Sequence, residues 1–571
     1  MNQNRAGDQA EARRQLRSAI ELAEESIGRT FPEPAPNHVR KWSDSTGRMA
    51  IAMWSNENRP RATSEAEGFF VLGSHTVRPA QLKALRDRPE LLEDLIVDVG
   101  GCLTVVTGDE VRIRIACTAV PAVPVYLGEG NGFVAVSSLA HAVAAINNNG
   151  RTDPLALHSL VQAGFVTGSR TAYDNVASQP LGAFIEISVD RVRNKQTLKP
   201  APVSDDPHPA LAEALADAVR PLQDLDGPVT LSLSGGRDSR LIAAALHAAS
   251  VDFVTVTRGE QDHPDVEIAA LVAARLGTPH RVVPRGSVLQ DETQMVEDPW
   301  QRAGRVADIT EGSTSAWDDV SVRGPWLGSV TLSGIGGEVL RGGYAYSLDQ
   351  VNRVTANKKI SNLFGGESLL TAEAIELARW VARPWRQLLE EDPATMLDHL
   401  YLHERLGRWG VARKAAISRN LFFGPFLDNR VIRTALAIPP RVRWSEKPMA
   451  ELVEHLAPQL AEIPLEGRPW RYCHQTTEAT PRSPTRRADW RLLGDPGLRE
   501  RVHRALLPLH GDGATDFFHL VDRDKLSLAF QTDAVTATKM WHMLTARAFF
   551  AEGQPGSAGE TKAMTIPIGS G

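Results

Sequence analysis

The chain has 571 residues, a formal net charge of −6, 42% hydrophobic and 23% charged residues, the balance of an ordinary soluble enzyme long enough for about two or three domains. So small a net charge argues against bulk binding to nucleic acid, which needs a basic face. Cys102, Cys117 and Cys473 form no CxxC pair and no Cys/His ligand spacing, which speaks against a zinc site and a disulfide framework and makes the cytoplasm the expected compartment.

In chain order, Met1–Gly28 is polar with a helical pattern and has no apolar h-region, so it reads as no signal peptide. No run of roughly 18 apolar residues occurs to span a membrane. Short β-like runs follow at Met49–Trp54, Phe69–Leu72, Leu103–Val106, Val111–Ala116, Val123–Tyr126 and Phe133–Val136, with helical pieces at Pro79–Arg88 and Ala140–Ile146. This spacing predicts packed antiparallel sheets in an α+β sandwich over residues 1–205. Ala201–Pro209 (APVSDDPHP) is a Pro/Asp-rich connector and the expected boundary. A second domain is expected over 206–550. It opens with a helix at Ala210–Leu225, then a strand Val229–Ser234, a helix Ser239–Ala249, a strand Phe253–Thr257, a helix Asp265–Leu276 and a short strand Arg281–Val283. That alternation predicts a parallel, doubly wound α/β sheet, and the pattern from Thr371 onward is mostly helical. Residues 551–571 are rich in Gly, Ser and Pro and read as a disordered tail.

The most informative stretch is Val229–Arg240, VTLSLSGGRDSR. A β-branched strand runs into Ser-Gly-Gly-Arg-Asp-Ser and then into a helix. Glycines let the backbone approach a ligand closely, and a helix N-terminus offers N–H groups and positive potential to an anion. Ser234 and Ser239 add hydroxyls. Asp238 repels bare phosphate, so its presence makes sense if it holds Mg²⁺ that bridges phosphates. No Gly-Lys-Ser/Thr follows, so the loop is not a Walker A loop.

SGGRDS resembles the PP-loop of the ATP pyrophosphatases, with Arg237 at its variable position. The resemblance implies that the β- and γ-phosphates of ATP bind here and leave the α-phosphorus open to a carboxylate. Thr331–Tyr344, TLSGIGGEVLRGGY, is similar to the second signature of asparagine synthetases, Ser-Gly-x-Gly-x-Asp before Gly-Gly-Tyr. Ser333, Gly334, Gly336, Gly342, Gly343 and Tyr344 match, and Glu338 falls on the second metal-binding aspartate. Asp265–His280 resembles the helix after the second strand in that family. Pro425–Asp428 (PFLD) matches a hallmark expected to be mainly structural, framing the substrate cleft. Lys447 falls on the family lysine that contacts phosphate, and Arg468 on a later arginine.

The resemblance thus implies ATP and Mg²⁺ as cofactors. Ser234, Gly235, Gly236, Asp238, Ser239, Thr257, Ser333, Gly334 and Lys447 would hold the nucleotide, and Asp238 and Glu338 the metal. Lys447 and Asp238 would serve catalysis, a cation at Lys447 offsetting charge on the pyrophosphate and the adenylate. Glu404 is the candidate base by position, with His403 beside it. Trp380, Trp385, Trp409 and Trp444 would mostly pack the core, or line a peptide-sized pocket.

The departures narrow the branch. Glutamine-dependent asparagine synthetases begin Met-Cys, whereas this chain begins Met-Asn, and neither Cys102 nor Cys117 can supply an N-terminal nucleophile. The first domain therefore looks like a degenerate glutaminase (Ntn-like) fold without ammonia production. Between Gly334 and Gly336 asparagine synthetases carry glutamate and β-lactam synthetases a tyrosine that acts in proton removal. Ile335 can do neither job. The combination looks like the lasso-peptide macrolactam synthetases. The substrate implied is a leader-cleaved precursor peptide whose Asp or Glu side chain is adenylated and captured by its own N-terminal amine. A leader peptidase and a leader-recognition protein are implied as partners. The rival readings are another amide ligase of the family (an ammonia-dependent asparagine synthetase or a β-lactam synthetase), a non-catalytic peptide-binding scaffold, and tRNA thiolation, which lacks its cysteine pair here.

Overall fold

The computed structural model describes residues 2–30, 38–55, 63–73, 76–130, 132–147, 150–198, 207–259, 261–283, 293–318, 320, 327–344, 353–365, 369–410, 421–467, 469–473, 490–507, 514–551 and 563–567. Residues 201–206 of the expected connector, Arg468, and most of the expected tail lie outside them.

The first half is built from antiparallel sheets. One runs Arg191–Gln196, Ala183–Ser188, Arg112–Cys117, Thr104–Gly108 and Phe69–Leu72 in spatial order. A smaller one runs Phe133–Ser137, Tyr126–Gly130 and Val176–Ser178. Helices Pro79–Asp87, Leu92–Asp98 and Ala140–Ile146 accompany them, and the hairpin His38–Ser43 with Ala50–Ser55 is a separate two-stranded sheet packed on the five-stranded one through Ile51, Met53 and Phe70. The mixed helix-and-sheet reading therefore holds. The run Val123–Tyr126 is corrected: Pro124 has no N–H for a ladder, and the strand begins only at Tyr126.

The second half is wound around five parallel strands. In spatial order these are His280–Val283, Phe253–Arg258, Val229–Ser232, Val330–Leu332 and Leu421–Phe423. From Val229–Ser232 the chain first winds toward one edge and later toward the other. The strand order therefore reverses between Val229–Ser232 and Val330–Leu332. In such sheets ligands bind outside the carboxyl ends of the strands at this switch point. Helix Arg237–Ala248 buries every side chain from Ser239 to Leu246, which its apolar run LIAAAL requires. Helix Pro264–Leu276 starts with proline at its first turn and stops at Gly277, whose φ is 68°.

The C-terminal third is largely helical, as expected. The segment 551–571 is not wholly without structure: Ala563–Pro567 pairs antiparallel with Thr293–Glu297. Its β-branched Thr565 and Ile566 suit an edge strand better than the Gly/Ser/Pro content around them suggests. Among the described residues no helix is long and apolar enough to cross a membrane.

The halves share their cores. Cys102, Ala119, Val120 and Leu181 pack in the same cluster as Leu231, Leu332 and Leu427. Leu157, Leu160 and Val161 pack with Trp541 and Leu544. Asp428, the last residue of PFLD, and Asn429 just after it fasten the joint. Asn429 donates to the carbonyls of Ile96, Val97 and Val99 and accepts the Ala119 N–H at 2.9 Å, while Asp428 accepts from Gly101 N–H. PFLD is thus a clamp between the two halves.

Candidate active site

The loop after Val229–Ser232 folds on its own serines. Ser234 N–H donates to Ser239 Oγ at 3.0 Å, the two hydroxyls lie 2.9 Å apart, and Gly236 N–H reaches Ser234 Oγ at 3.3 Å. Asp265 Oδ1 takes the Gly235 N–H at 2.6 Å. No side chain caps helix Arg237–Ala248, so its positive end faces the loop, as an anion site requires. Buried Arg240 donates to the carbonyls of Ile463 and Pro464 and holds a second loop against the first.

Across the switch point, the turn after Val330–Leu332 packs directly on this helix start. A β-carbon on Gly334 would stand 2.8 Å from Asp238 Cβ. Gly336, at φ 90°, begins the tight turn Gly337–Arg341, a conformation that side chains other than glycine's resist. Arg341 then grips Asp238 through two hydrogen bonds of 3.0 and 2.8 Å and lies 3.7 Å from Glu338. One guanidinium therefore spans the two acids that were expected to share a metal.

Burial raises the pKa of the Asp238 carboxyl and Glu338 adds to the rise, while Arg341 opposes it. Burial works against charge on Arg341 too, but Asp238, Glu338 and Glu446 together hold it protonated. Glu338 has a second partner: Tyr401 Oη donates to its Oε2 at 2.5 Å. Tyr344 stacks edge-on to Tyr401 at 5.2 Å and fixes that ring. Glu446 is nearly fully buried at φ 63°, and gathers Arg237 at 3.0 Å, Arg471 at 3.4 Å and Arg341 at 3.8 Å.

Ser234, Gly235, Gly236, Asp238, Ser239, Ser333, Gly334 and Glu338 thus sit on two facing loops. Three expected site residues lie differently. Thr257 is buried beneath the loop and donates its hydroxyl to the Leu233 carbonyl at 2.8 Å, so it supports the loop from below. Lys447 is 62% exposed and pairs with Glu451 at 3.5 Å, one turn along its own helix. Glu404 is buried and accepts the Gly168 N–H at 3.0 Å. Burial raises its pKa, opposed by Arg408, Gly168 and Trp385. Burial holds His403 neutral, down to about 3.

The sequence reading did not single out Arg341, Tyr401, Glu446 or Arg471. Arg341 had one available signal, its position three residues after Glu338 on the same turn. Ile335 points into apolar contacts, near the backbones of Gly410 and Gly424, and packs against the core. Cys102 and Cys117 are buried and free; burial raises both thiols, Cys117 to about 12, so neither is a reactive thiolate. A separate cavity of about 40 Å³ lies between the two halves, walled by Tyr126, Gln179, Glu311, His403 and Arg408. Neither Asp238 nor Glu338 lines it, and the paired acids outweigh it as the place for phosphate chemistry.

Among the described residues no group of three or more His, Cys, Asp or Glu side chains could hold a metal alone. Mg²⁺ is commonly held by one or two carboxylates together with substrate phosphates. Two acids spanned by one cation beside an anion-receptive helix end fit that requirement.

A switch-point loop, a helix N-terminus and a carboxylate pair thus meet at the carboxyl edge of a parallel α/β sheet. Residues 210–410 match the family described as asparagine synthase, and no curated protein matches the chain. The matched region contains both loops, Asp238, Glu338 and Arg341. At the family level this similarity is to ATP-dependent, AMP-forming amide ligases, which typically use Mg²⁺.

Proposed function

We propose that the protein is an ATP-dependent lasso-peptide cyclase. It adenylates an Asp or Glu side chain of a leader-cleaved precursor peptide and joins it to the peptide's N-terminal amine, releasing AMP and pyrophosphate. The observation that carries the ligase part of this reading is Arg341 spanning Asp238 and Glu338 at the switch point. Two acids on separate loops are held as one cation site beside the loop expected to cradle pyrophosphate.

Asp238 and Glu338 would hold Mg²⁺, which when bound neutralises phosphate charge and aids the departure of pyrophosphate. Tyr401 keeps the Glu338 carboxylate in place, and the Ser234–Ser239 loop with the helix end orients the phosphates. The peptide carboxylate attacks the α-phosphorus and pyrophosphate leaves. The amine then attacks the acyl carbon, AMP leaves with the electron pair of the acyl–oxygen bond, and the surplus amine proton passes to solvent.

The peptide as substrate is favoured by Ile335, whose apolar packing leaves no acid or phenol at the position where small-substrate relatives carry one. The buried, unreactive cysteines favour an amine other than glutamine-derived ammonia. The first half then acts as a degenerate glutaminase-like support, and a leader peptidase with a leader-recognition protein would supply the substrate.

The test is AMP release with a leader-free precursor peptide. Asp238→Ala should lower it by on the order of 10²-fold or more with the fold intact by circular dichroism. Unchanged product formation would favour the scaffold reading. ATP–pyrophosphate exchange with free aspartate but not with peptide would instead identify a small-substrate amide ligase.

A further inference from the structure

Arg341 stands where the sequence pattern places a metal. Its Nε and Nη2 hold both oxygens of Asp238 at 3.0 and 2.8 Å, Nη2 is 3.7 Å from Glu338, and Nη1 is 3.8 Å from Glu446. A guanidinium does not give up its proton, so it cannot yield Asp238 by becoming neutral. It can only exchange one anionic partner for another.

The surroundings are arranged for such an exchange. The turn Gly337–Arg341 is bounded by Gly336 at φ 90° and Gly342 at φ 82°, so its two ends carry no side-chain restraint on backbone rotation. Glu446, beside the arginine, already gathers Arg237 and Arg471. Three guanidinium groups thus surround one buried carboxylate next to the loop. Planar forks of this kind match the oxygens of a polyphosphate.

Resting on the reading above, we propose that Arg341 is a stand-in cation and then a phosphate ligand. In the nucleotide-free protein it neutralises Asp238 and Glu338, and in the nucleotide complex it releases Asp238 and pairs with polyphosphate oxygens. The arginine prevents the two acids from collecting a metal before the nucleotide arrives.

The two roles predict opposite effects of one substitution. In the full chain without nucleotide, Arg341→Met should bind Mn²⁺ on the order of tenfold more tightly than the unaltered protein, measured by calorimetry, because the competing cation is gone. The same variant should bind Mg·ATP on the order of tenfold more weakly, the size of one charge-assisted hydrogen bond. Arg341→Lys keeps the charge without the fork and should shift both constants in the same directions by less; it carries the test if the methionine variant does not fold. A purely structural salt bridge would not tighten Mn²⁺ binding, so unchanged or weaker Mn²⁺ affinity overturns the proposal. So does Mg·ATP affinity equal to that of the unaltered protein. Failure of the unaltered protein to bind Mg·ATP at all would instead overturn the ligase reading.

Discussion

A β-carbon on Gly337 would overlap the carboxyl group of Asp238. The two loops therefore meet with no room for a side chain, and Gly337 has no positive φ of its own. Gly337→Ala should thus spare the local backbone and displace Asp238. We expect Mg·ATP affinity to fall by about tenfold or more, with stability lowered by about 1–3 kcal/mol, the usual cost of overpacking, and the fold retained. Titration with Mg·ATP beside a thermal melt checks this, and unaltered affinity would mean that the Asp238 position is not set by this contact. At this scale the serines, the glycines and the paired acids were legible, because each belongs to a local motif. Tyr401 was not, since its partner Glu338 lies 63 positions away. Glu446 was missed by one residue: the motif pointed to Lys447, but the left-handed turn at Glu446 directs the glutamate inward and leaves the lysine on the surface.

The segment Tyr401–Gly410 forms a π-helix, a wider turn that often marks functional positions. It joins parts of the molecule that are distant in sequence. Tyr401 holds Glu338, Glu404 takes the Gly168 N–H, and Arg408 donates to the carbonyls of Ser178 and Gln179. Glu404 is thus placed as a clamp on the first half. Glu404→Gln keeps an acceptor for Gly168, so AMP formation should stay within about threefold of the unaltered rate. Glu404→Ala leaves a donor without its partner in the interior and should cost about 1–3 kcal/mol, read from chemical denaturation. Loss of AMP formation in the glutamine variant would restore Glu404 as the base. The helices after Thr371 were legible only as a general character, while the helices Pro79–Asp87, Ala140–Ile146, Pro207–Val219, Arg237–Ala248 and Pro264–Leu276 and the first three parallel strands were legible from periodicity. Leu421–Phe423 was not, because three residues carry no period of their own, and the strand exists through its pairing with Val330–Leu332.

At the scale of the whole molecule the halves are bound through shared cores, which also enclose two imidazoles. The change of architecture near residue 205 was legible, but the joint was not, since contacts such as Asn429 to Ile96 link residues far apart in the chain. His158 and His542 belong to the helices His158–Ala163 and Ala537–Ala548, which pack together across the joint. Burial lowers both to about 4 from 6.5. Above pH 6.5 both are neutral, folded or unfolded, and their contribution to stability is full. As pH falls toward 4 the unfolded chain takes up protons that the fold refuses, so stability is lost across that window. Asp428 works the other way: burial raises it to about 6 from 3.8, so its protonation favours the fold on acidification. His403, lowered to about 3, adds a third imidazole to the destabilising side. Burial also lowers His280, His399 and His503, while Asp238 and Glu404 are raised with Asp428; the imidazoles outnumber these carboxyls, and the melting temperature should fall from about pH 7.5 to about pH 5. His542→Leu should flatten that fall, because leucine fills the buried site without a proton to gain. Comparing the two pH values within each variant cancels any packing offset that the substitution introduces at both. Equal pH dependence in the two proteins would mean that His542 is not held neutral by the joint.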